Sequence, residues 1–219
     1  MSLSLDEMLT QLSGHDSPNE LYGVTAPSAK SRATVEKVLE EAEAVLAEEG
    51  VAGLTFRALA RRCDMRLSNL QYYFATQEDL LTAVTRYILV RRLSELKARG
   101  PLGLIEAPQR FTAYLEFRME RAADPKAQAI TTGLRDLALR QDGPARHVAQ
   151  ICRFHTDLIE AMIAALAPET PSQEIRHKAV MIAALVEAVG PTCGRLFDRP
   201  EGLRSAILSQ ARSIVGLPA

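Results

Sequence analysis

The sequence predicts an all-α protein of about nine helices. Three observations predict it. Beyond residue 30, apolar residues recur three and four positions apart, the spacing that lines one face of a helix. No stretch alternates with the period of two that a half-buried strand shows. Pro101, Pro108, Pro125, Pro144, Pro168, Pro171, Pro191 and Pro200 fall mostly at the edges of the periodic segments, where a missing N–H is tolerated.

Each element follows in order. Residues 1–29 are rich in Ser, Gly, Pro, Asn and Asp with weak periodicity, and read as a flexible extension with one short helix near Leu5–Leu12. From Ser31, read as an N-cap, Val35, Val38, Leu39, Ala42, Val45 and Leu46 keep helical spacing until Gly50 stops them. Thr55 is a good N-cap for a short helix over 56–62 that buries Leu59 and Ala60. A break at Asp64 precedes another short helix, 67–73, and a longer one follows over 77–97. Further helices are placed near 108–122, 126–140, 144–167, 172–191 and 199–215. No internal repeat occurs at a period of 20–50 residues.

Composition narrows the classes. At 47% hydrophobic and 24% charged residues the chain is globular in character. Its formal net charge is −1, so any nucleic-acid contact must come from a local patch. Cys63, Cys152 and Cys193 have no paired spacing, which fits a reducing, cytoplasmic setting better than a disulfide framework. The N-terminus has early acids and no basic segment, so no signal peptide is expected. The longest apolar run, Ala179–Val186, falls well short of the ~20 residues a bilayer span needs, and no membrane role is expected.

The window Leu59–Leu81 concentrates chemistry. Aromatics are only 5% of the chain, yet Tyr72, Tyr73 and Phe74 are adjacent. Between Val51 and Tyr73, Arg57, Arg61, Arg62 and Arg66 stand against Asp64 alone. Two short helices joined by a tight turn, with a third behind, make a helix-turn-helix. Met65, Leu70 and Phe74 can face inward over Leu59 and Ala60, leaving Ser68, Asn69, Gln71 and Tyr72 outward. Asn and Gln can bond adenine bidentately, Arg can bond guanine, and a Tyr hydroxyl suits a phosphate oxygen. Taken singly, aromatic pairs are usually core and helical arginines a solvated face. Helix lengths, break, basic residues and outward amides agree with one another here, which is the stronger warrant.

Residues 31–81 resemble the DNA-binding domain of the TetR family of bacterial transcription regulators. Gly50, Thr55, Leu59-Ala60, Leu70, Tyr73-Phe74 and Leu80 carry the resemblance. Asp64 stands where the turn glycine is usual, Arg66 where Ser is common, Gln71 where Tyr is common, and Gln77 where a phosphate-touching Lys is usual. The resemblance implies a domain over 30–76 that binds DNA and a body over 77–219 that binds an effector and dimerises. It implies that Arg57 approaches a base or phosphate, and that Thr55 caps its helix and offers a hydroxyl or N–H to phosphate. Leu67, Ser68, Asn69, Gln71 and Tyr72 would form the recognition surface beside Arg66 and Gln77, and Tyr73 a phosphate contact. Lys30 and Arg32 would reach phosphate as a flexible arm. Homodimers reading a palindromic operator in double-stranded DNA, and release of a repressor by a small-molecule effector, are what the family leads one to expect.

The body carries two further expectations. The 172–191 helix is apolar nearly all round, which requires burial on several sides. Ala179, Ile182, Ala183 and Val186, with Leu203, Ile207, Gln210 and Ile214 of the last helix, are the expected dimer surface. In the 144–167 helix, Val148, Ile151, Cys152, His155, Leu158, Ile159, Met162, Ile163 and Leu166 form a stripe. A histidine there reads either as a core residue with one satisfied hydrogen bond or as a pocket wall. Phe111, Tyr114, Phe117 and Arg118 could close the other wall around an apolar effector, with Cys152, His155 and Ile159 opposite.

Other classes lack parts. One Glu-x-x-His, Glu174–His177, has no second copy to make a di-iron bundle. Cys152 and His155 have no partner pair to complete a zinc site. No hydrolase elbow, zincin motif or phosphate-cradling loop occurs. No cofactor or metal is therefore expected, and no enzymatic activity. The alternatives are a helical protein-interaction adaptor or a cofactor-independent bundle enzyme.

Overall fold

The computed structural model describes residues 4–14, 17–190 and 200–218. Among these it has ten α-helices: α1 (Leu5–Ser13), α2 (Ala29–Glu49), α3 (Phe56–Arg62), α4 (Leu67–Tyr73), α5 (Gln77–Arg99), α6 (Ala107–Ala123), α7 (Pro125–Arg140), α8 (Asp142–Leu166), α9 (Ser172–Ala188) and α10 (Leu203–Ile214). The all-α expectation holds, with one addition: a two-stranded antiparallel hairpin, β1 (Glu20–Leu21) and β2 (Val24–Thr25). The strands are too short for a period-two pattern to register. Their two-residue loop, Tyr22-Gly23, has positive φ at both positions, 53° and 83°, which matches the twist of a tight hairpin.

The chain divides into two compact units. The first holds residues up to Glu95 together with Ala129–Ile151; the second holds Leu96–Gln128 and the described residues from Cys152 onward. In the first, the α2 stripe Val35, Val38, Leu39, Ala42 and Val45 is completely buried. Leu59 of α3, Leu70 of α4, Phe74, and Leu80, Val84 and Ile88 of α5 are also completely buried in this unit.

The N-terminal segment corrects the sequence reading. Residues 1–29 were expected to be a flexible extension, but the described part is docked. Ser4 and Glu7 cap α1 reciprocally, Glu7 N–H donating to Ser4 Oγ at 3.2 Å and Ser4 N–H to Glu7 Oε2 at 2.7 Å. Met8, Leu12, Leu21, Tyr22, Val24 and Ala26 are buried. Tyr22 meets Tyr87 edge-on at 5.3 Å. Arg86 of α5 binds the segment through its backbone: Nε donates to Leu12 O at 2.7 Å and Nη2 to Gln11 O at 3.0 Å. The apolar residues are spaced across a helix and a hairpin rather than along one periodic stripe, so the pattern was hidden. The start of α2 is corrected too. Ser28, not Ser31, is the N-cap, and Ser31 answers it from the N3 position.

Gly133 sits inside α7, where alanine would ordinarily stabilise by about 1 kcal/mol. A Cβ there would lie 2.5 Å from Leu46 Cδ1 and 2.9 Å from Leu46 Cγ. Leu46 is itself buried, so overpacking wins. Gly133→Ala is expected to destabilise by about 1–3 kcal/mol, read by urea denaturation.

His147 of α8 has a buried Nδ1 with no hydrogen-bond partner. Burial first, then the nearby Arg86 and Arg146 charges, hold its imidazole below the ordinary 6.5, against a hydrogen bond with Gln150. A depressed folded value means the unfolded chain takes the proton first. His147 therefore contributes stability that is present above pH 6.5 and lost as pH falls below it. Denaturation midpoints measured from pH 7.5 to 5.5 should fall less steeply in His147→Gln than in the parent.

Candidate nucleic-acid interface and the helical body

The turn between α3 and α4 is built from backbone. Met65 N–H donates to Ala60 O at 2.9 Å and Asp64 N–H to Arg61 O at 3.3 Å, the paired bonds that close a helix through a left-handed residue. That residue is Asp64, at φ 53°. Glycine reaches this region without Cβ strain; aspartate is among the few side chains that tolerate it. Lys37 Nζ donates to Cys63 O at 2.9 Å, so α2 supplies a cation to the C-terminus of α3. Thr55 caps the other end, its hydroxyl accepting from Ala58 N–H at 3.2 Å.

Helix α4 then presents two faces. Leu70 and the following Phe74 are completely buried, and Met65 and Leu67 are half-buried. Ser68, Asn69 and Gln71 are exposed, and Tyr72 is 80% exposed. Tyr73 is half-buried and meets Tyr72 edge-on at 5.2 Å. Lys30, Thr55, Arg57, Arg61 and Arg66 are also exposed. Arg61 was counted in the basic patch but not singled out as a contact.

Four basic or polar side chains are placed differently from expectation. Lys30 and Arg32 lie within α2 rather than on a flexible arm ahead of it. Arg32 is committed: its Nη2 donates to Pro18 O at 2.7 Å. The Gln77 side-chain amide donates to Leu54 O, so it braces the loop before α3. Arg62 does not add to an outward patch either. It pairs with Glu41 at 3.1 Å, Glu48 at 2.8 Å and Glu49 at 3.5 Å. Its hydrogen bonds to Glu48 and then Glu41 push its pKa further up. The spacing of these acids along α2 was legible; that they turn toward Arg62 was not.

In the second unit the expected effector wall is closed around polar partners. Phe111 and Tyr114 are completely buried, Phe117 and Ile159 are buried, and His155 is half-buried. Arg118 Nη1 donates to the Tyr114 hydroxyl at 3.4 Å, and Nη2 bonds Glu187 of α9. The phenol oxygen lies 2.6 Å from His155 Nδ1, within hydrogen-bond distance. Burial raises the Tyr114 pKa despite Arg118. Arg118 also rises, because Tyr114 and Glu187 together outweigh its desolvation. His155 is thus a partly buried residue with a satisfied nitrogen. Cys152 is exposed, on the outer side of α8, and Phe154, which the stripe omitted, is buried instead.

A cavity of about 160 Å³ lies elsewhere in this unit, lined by residues of the loop before α6, α6 itself and the C-terminal half of α8. None of Phe111, Tyr114, Phe117, Arg118, Cys152, His155 and Ile159 lines it.

Helix α9 packs on α6 and α10. Ala179, Ile182, Val186 and Ile207, expected at a partner surface, are buried within the chain's own unit. Ala183, Leu203 and Ile214 are half-buried and Gln210 is exposed. The open apolar row on α9 is one position over: Val180 at 51%, Met181 at 55%, and Ala184. Both rows are apolar in sequence, so the pattern could not tell inner from outer. Among the described residues no helix is long and apolar enough to cross a membrane, and no group of His, Cys, Asp and Glu could hold a metal.

The fold and this surface define a helix-turn-helix protein with a helical body. Residues 38–84 match the family model for bacterial regulatory proteins of the tetR family. A curated relative, the uncharacterized HTH-type transcriptional regulator in the dhlA 5′ region of Xanthobacter autotrophicus, is 40% identical over 73 residues. That match spans 33% of this chain and only 36% of the relative. The TetR transcription regulator from Haloarcula marismortui shares the fold with a TM-score of 0.70 at 16% identity, over 84% of this chain and 97% of that one. AibR, solved in complex with isovaleryl coenzyme A and operator DNA, does so with a TM-score of 0.62 at 16% identity, over 81% and 97%. The family match is thus confined to residues 38–84, while the fold as a whole is like that of solved TetR regulators.

The N-cap of α4 is Arg66, which makes no side-chain capping bond. Arg66→Ser would supply an acceptor for the first-turn amides. It is expected to stabilise the protein by about 0.5–2 kcal/mol while removing an exposed positive charge, so thermal stability should rise as affinity for any polyanion falls.

Proposed function

We propose that the protein is a ligand-responsive DNA-binding transcriptional regulator, acting as a cytoplasmic homodimer that represses from a palindromic operator. The observation that carries this is the exposed row Ser68, Asn69, Gln71 and Tyr72, held outward over the buried Leu70 and Phe74. Asn69 and Gln71 supply base-reading amides; Lys30, Arg57, Arg61 and Arg66 supply phosphate-facing charge. The domain over 30–76 does the DNA binding. Residues 77–219 do the dimerising and sensing, with Val180, Met181 and Ala184 of α9 as the apolar contact with a second copy. Two-fold symmetry would set the two α4 helices about 34–36 Å apart, one turn of duplex. AibR, a structural neighbour solved with both an acyl-coenzyme A and operator DNA, supports coupling of ligand to DNA in this fold. A ligand preferring the conformer with misplaced α4 helices would release the operator. The protein then performs no catalysis of its own.

Footprinting around the protein's own gene would provide the duplex. Binding to it, followed by fluorescence anisotropy, should weaken steeply and log-linearly with added salt. Asn69→Ala should cost about 1–3 kcal/mol and relax preference at one base position. Arg57→Ala should weaken all duplexes alike and flatten the salt slope. Absence of salt-dependent duplex binding would favour the adaptor reading instead.

A further inference from the structure

Asp64 is held at φ 53°, a region that costs a residue with a Cβ. Cys63 before it stands at φ −81° and ψ −4°. A peptide unit moves as a rigid plane. Turning over the one plane between these residues changes Cys63 ψ and Asp64 φ together, and leaves the flanking chain nearly in place. Asp64 would then reach negative φ and shed its strain. The turn thus has a competing conformation one local motion away.

Two atoms of that plane resist the motion. On one edge, Asp64 N–H donates to Arg61 O at 3.3 Å, longer than a well-formed backbone bond. On the opposite edge, Cys63 O accepts from Lys37 Nζ at 2.9 Å. The first bond is local to the turn. The second comes from α2, 26 residues away, and carries a full charge, which makes it the stronger. The carboxylate one helical turn along from Lys37, Glu41, is engaged by Arg62 at 3.1 Å. Lys37 directs its ammonium to a neutral carbonyl at the turn.

Helix α4 takes its direction from this plane. Its N-cap, Arg66, makes no side-chain capping bond. Its completely buried anchors, Leu70 and Phe74, lie at and beyond its middle. The first turn of α4, with Ser68 and Asn69, is aimed by the backbone that leads into it.

We propose that Lys37 is a positioning residue for base reading. It locks the Cys63–Asp64 peptide against turning over, and through that peptide it aims the start of α4. The positioning role rests on the regulator reading above; the lock itself does not.

Amide hydrogen exchange on the full chain, resolved by NMR, tests the lock without DNA. Lys37→Met should lower protection of the residue 64 amide about threefold to tenfold, and leave the Leu59 amide at the start of α3 unchanged. Glycine enters positive φ as readily as negative, so adding Asp64→Gly should return protection toward the parent value. Preference for the footprinted duplex over a scrambled one should follow the same course. It should fall about threefold to tenfold in Lys37→Met and recover in the double variant. The charge lost with Asp64 strengthens both duplexes alike and drops out of that ratio. The salt slope should stay that of the parent.

Unchanged protection in Lys37→Met, a loss that Asp64→Gly does not reverse, or an equal loss at Leu59 would overturn the lock. Protection lost and restored while duplex preference never moves would overturn the positioning role. A flatter salt slope with preference intact would make Lys37 a phosphate contact and overturn it as well. Failure to bind any duplex would sink the regulator reading, and the positioning role with it, while hydrogen exchange still judges the lock.

Discussion

A seven-residue helix cannot persist alone in water, because nucleation costs more than its few hydrogen bonds return. Helix α4 exists because Leu70 and Phe74 are removed completely from solvent, and because the turn before it is fixed by two backbone bonds through Asp64. This constraint orders the rest of the first unit. Lys37 and Arg62 both tie the C-terminal end of α3, just before the turn, back to α2. Gln77 ties the start of α5 to the loop ahead of α3. With the inner positions filled and the ties made, the polar side of α4 has only one direction left to face.

Much of this was legible in the chain. The α2 stripe, Thr55 as a cap, the break at Asp64 and the inward Leu70 and Phe74 follow from spacing and from the chemistry of turns. What was not legible depends on partners distant in sequence. Arg32 and Arg62 look like basic residues available to a polyanion until Pro18, 14 residues away, or Glu41 and Glu48, 21 and 14 residues away, claim them. In the body, α9 carries apolar residues on both sides, so periodicity could not choose between Ile182 inside and Met181 outside. Tyr114 and His155, 41 residues apart, could be read as a ligand wall only while their mutual hydrogen bond was unseen.

The body uses its buried polar groups in two ways. Around Tyr114 each one finds a partner, and the cluster with His155, Arg118 and Glu187 fixes α6, α8 and α9 in register. A saturated network of that kind specifies one arrangement and resists intrusion. Arg110 keeps one donor, Nε, that is buried and unanswered. The contrast separates a part of the core that holds shape from a part with bonding capacity to spare.

The docking of the first helix has a consequence for synthesis. Gln11 and Leu12 bond Arg86, 74 or 75 residues further on, and Gln11 also receives the Gln150 amide from 139 residues away. A ribosome adds about 5–20 residues per second, so this segment emerges on the order of ten seconds before its seat is complete. Through that interval Gln11 and Leu12 lack first the Arg86 and then the Gln150 that hold them. The nascent chain must carry this sticky leader until the last of its berth is translated.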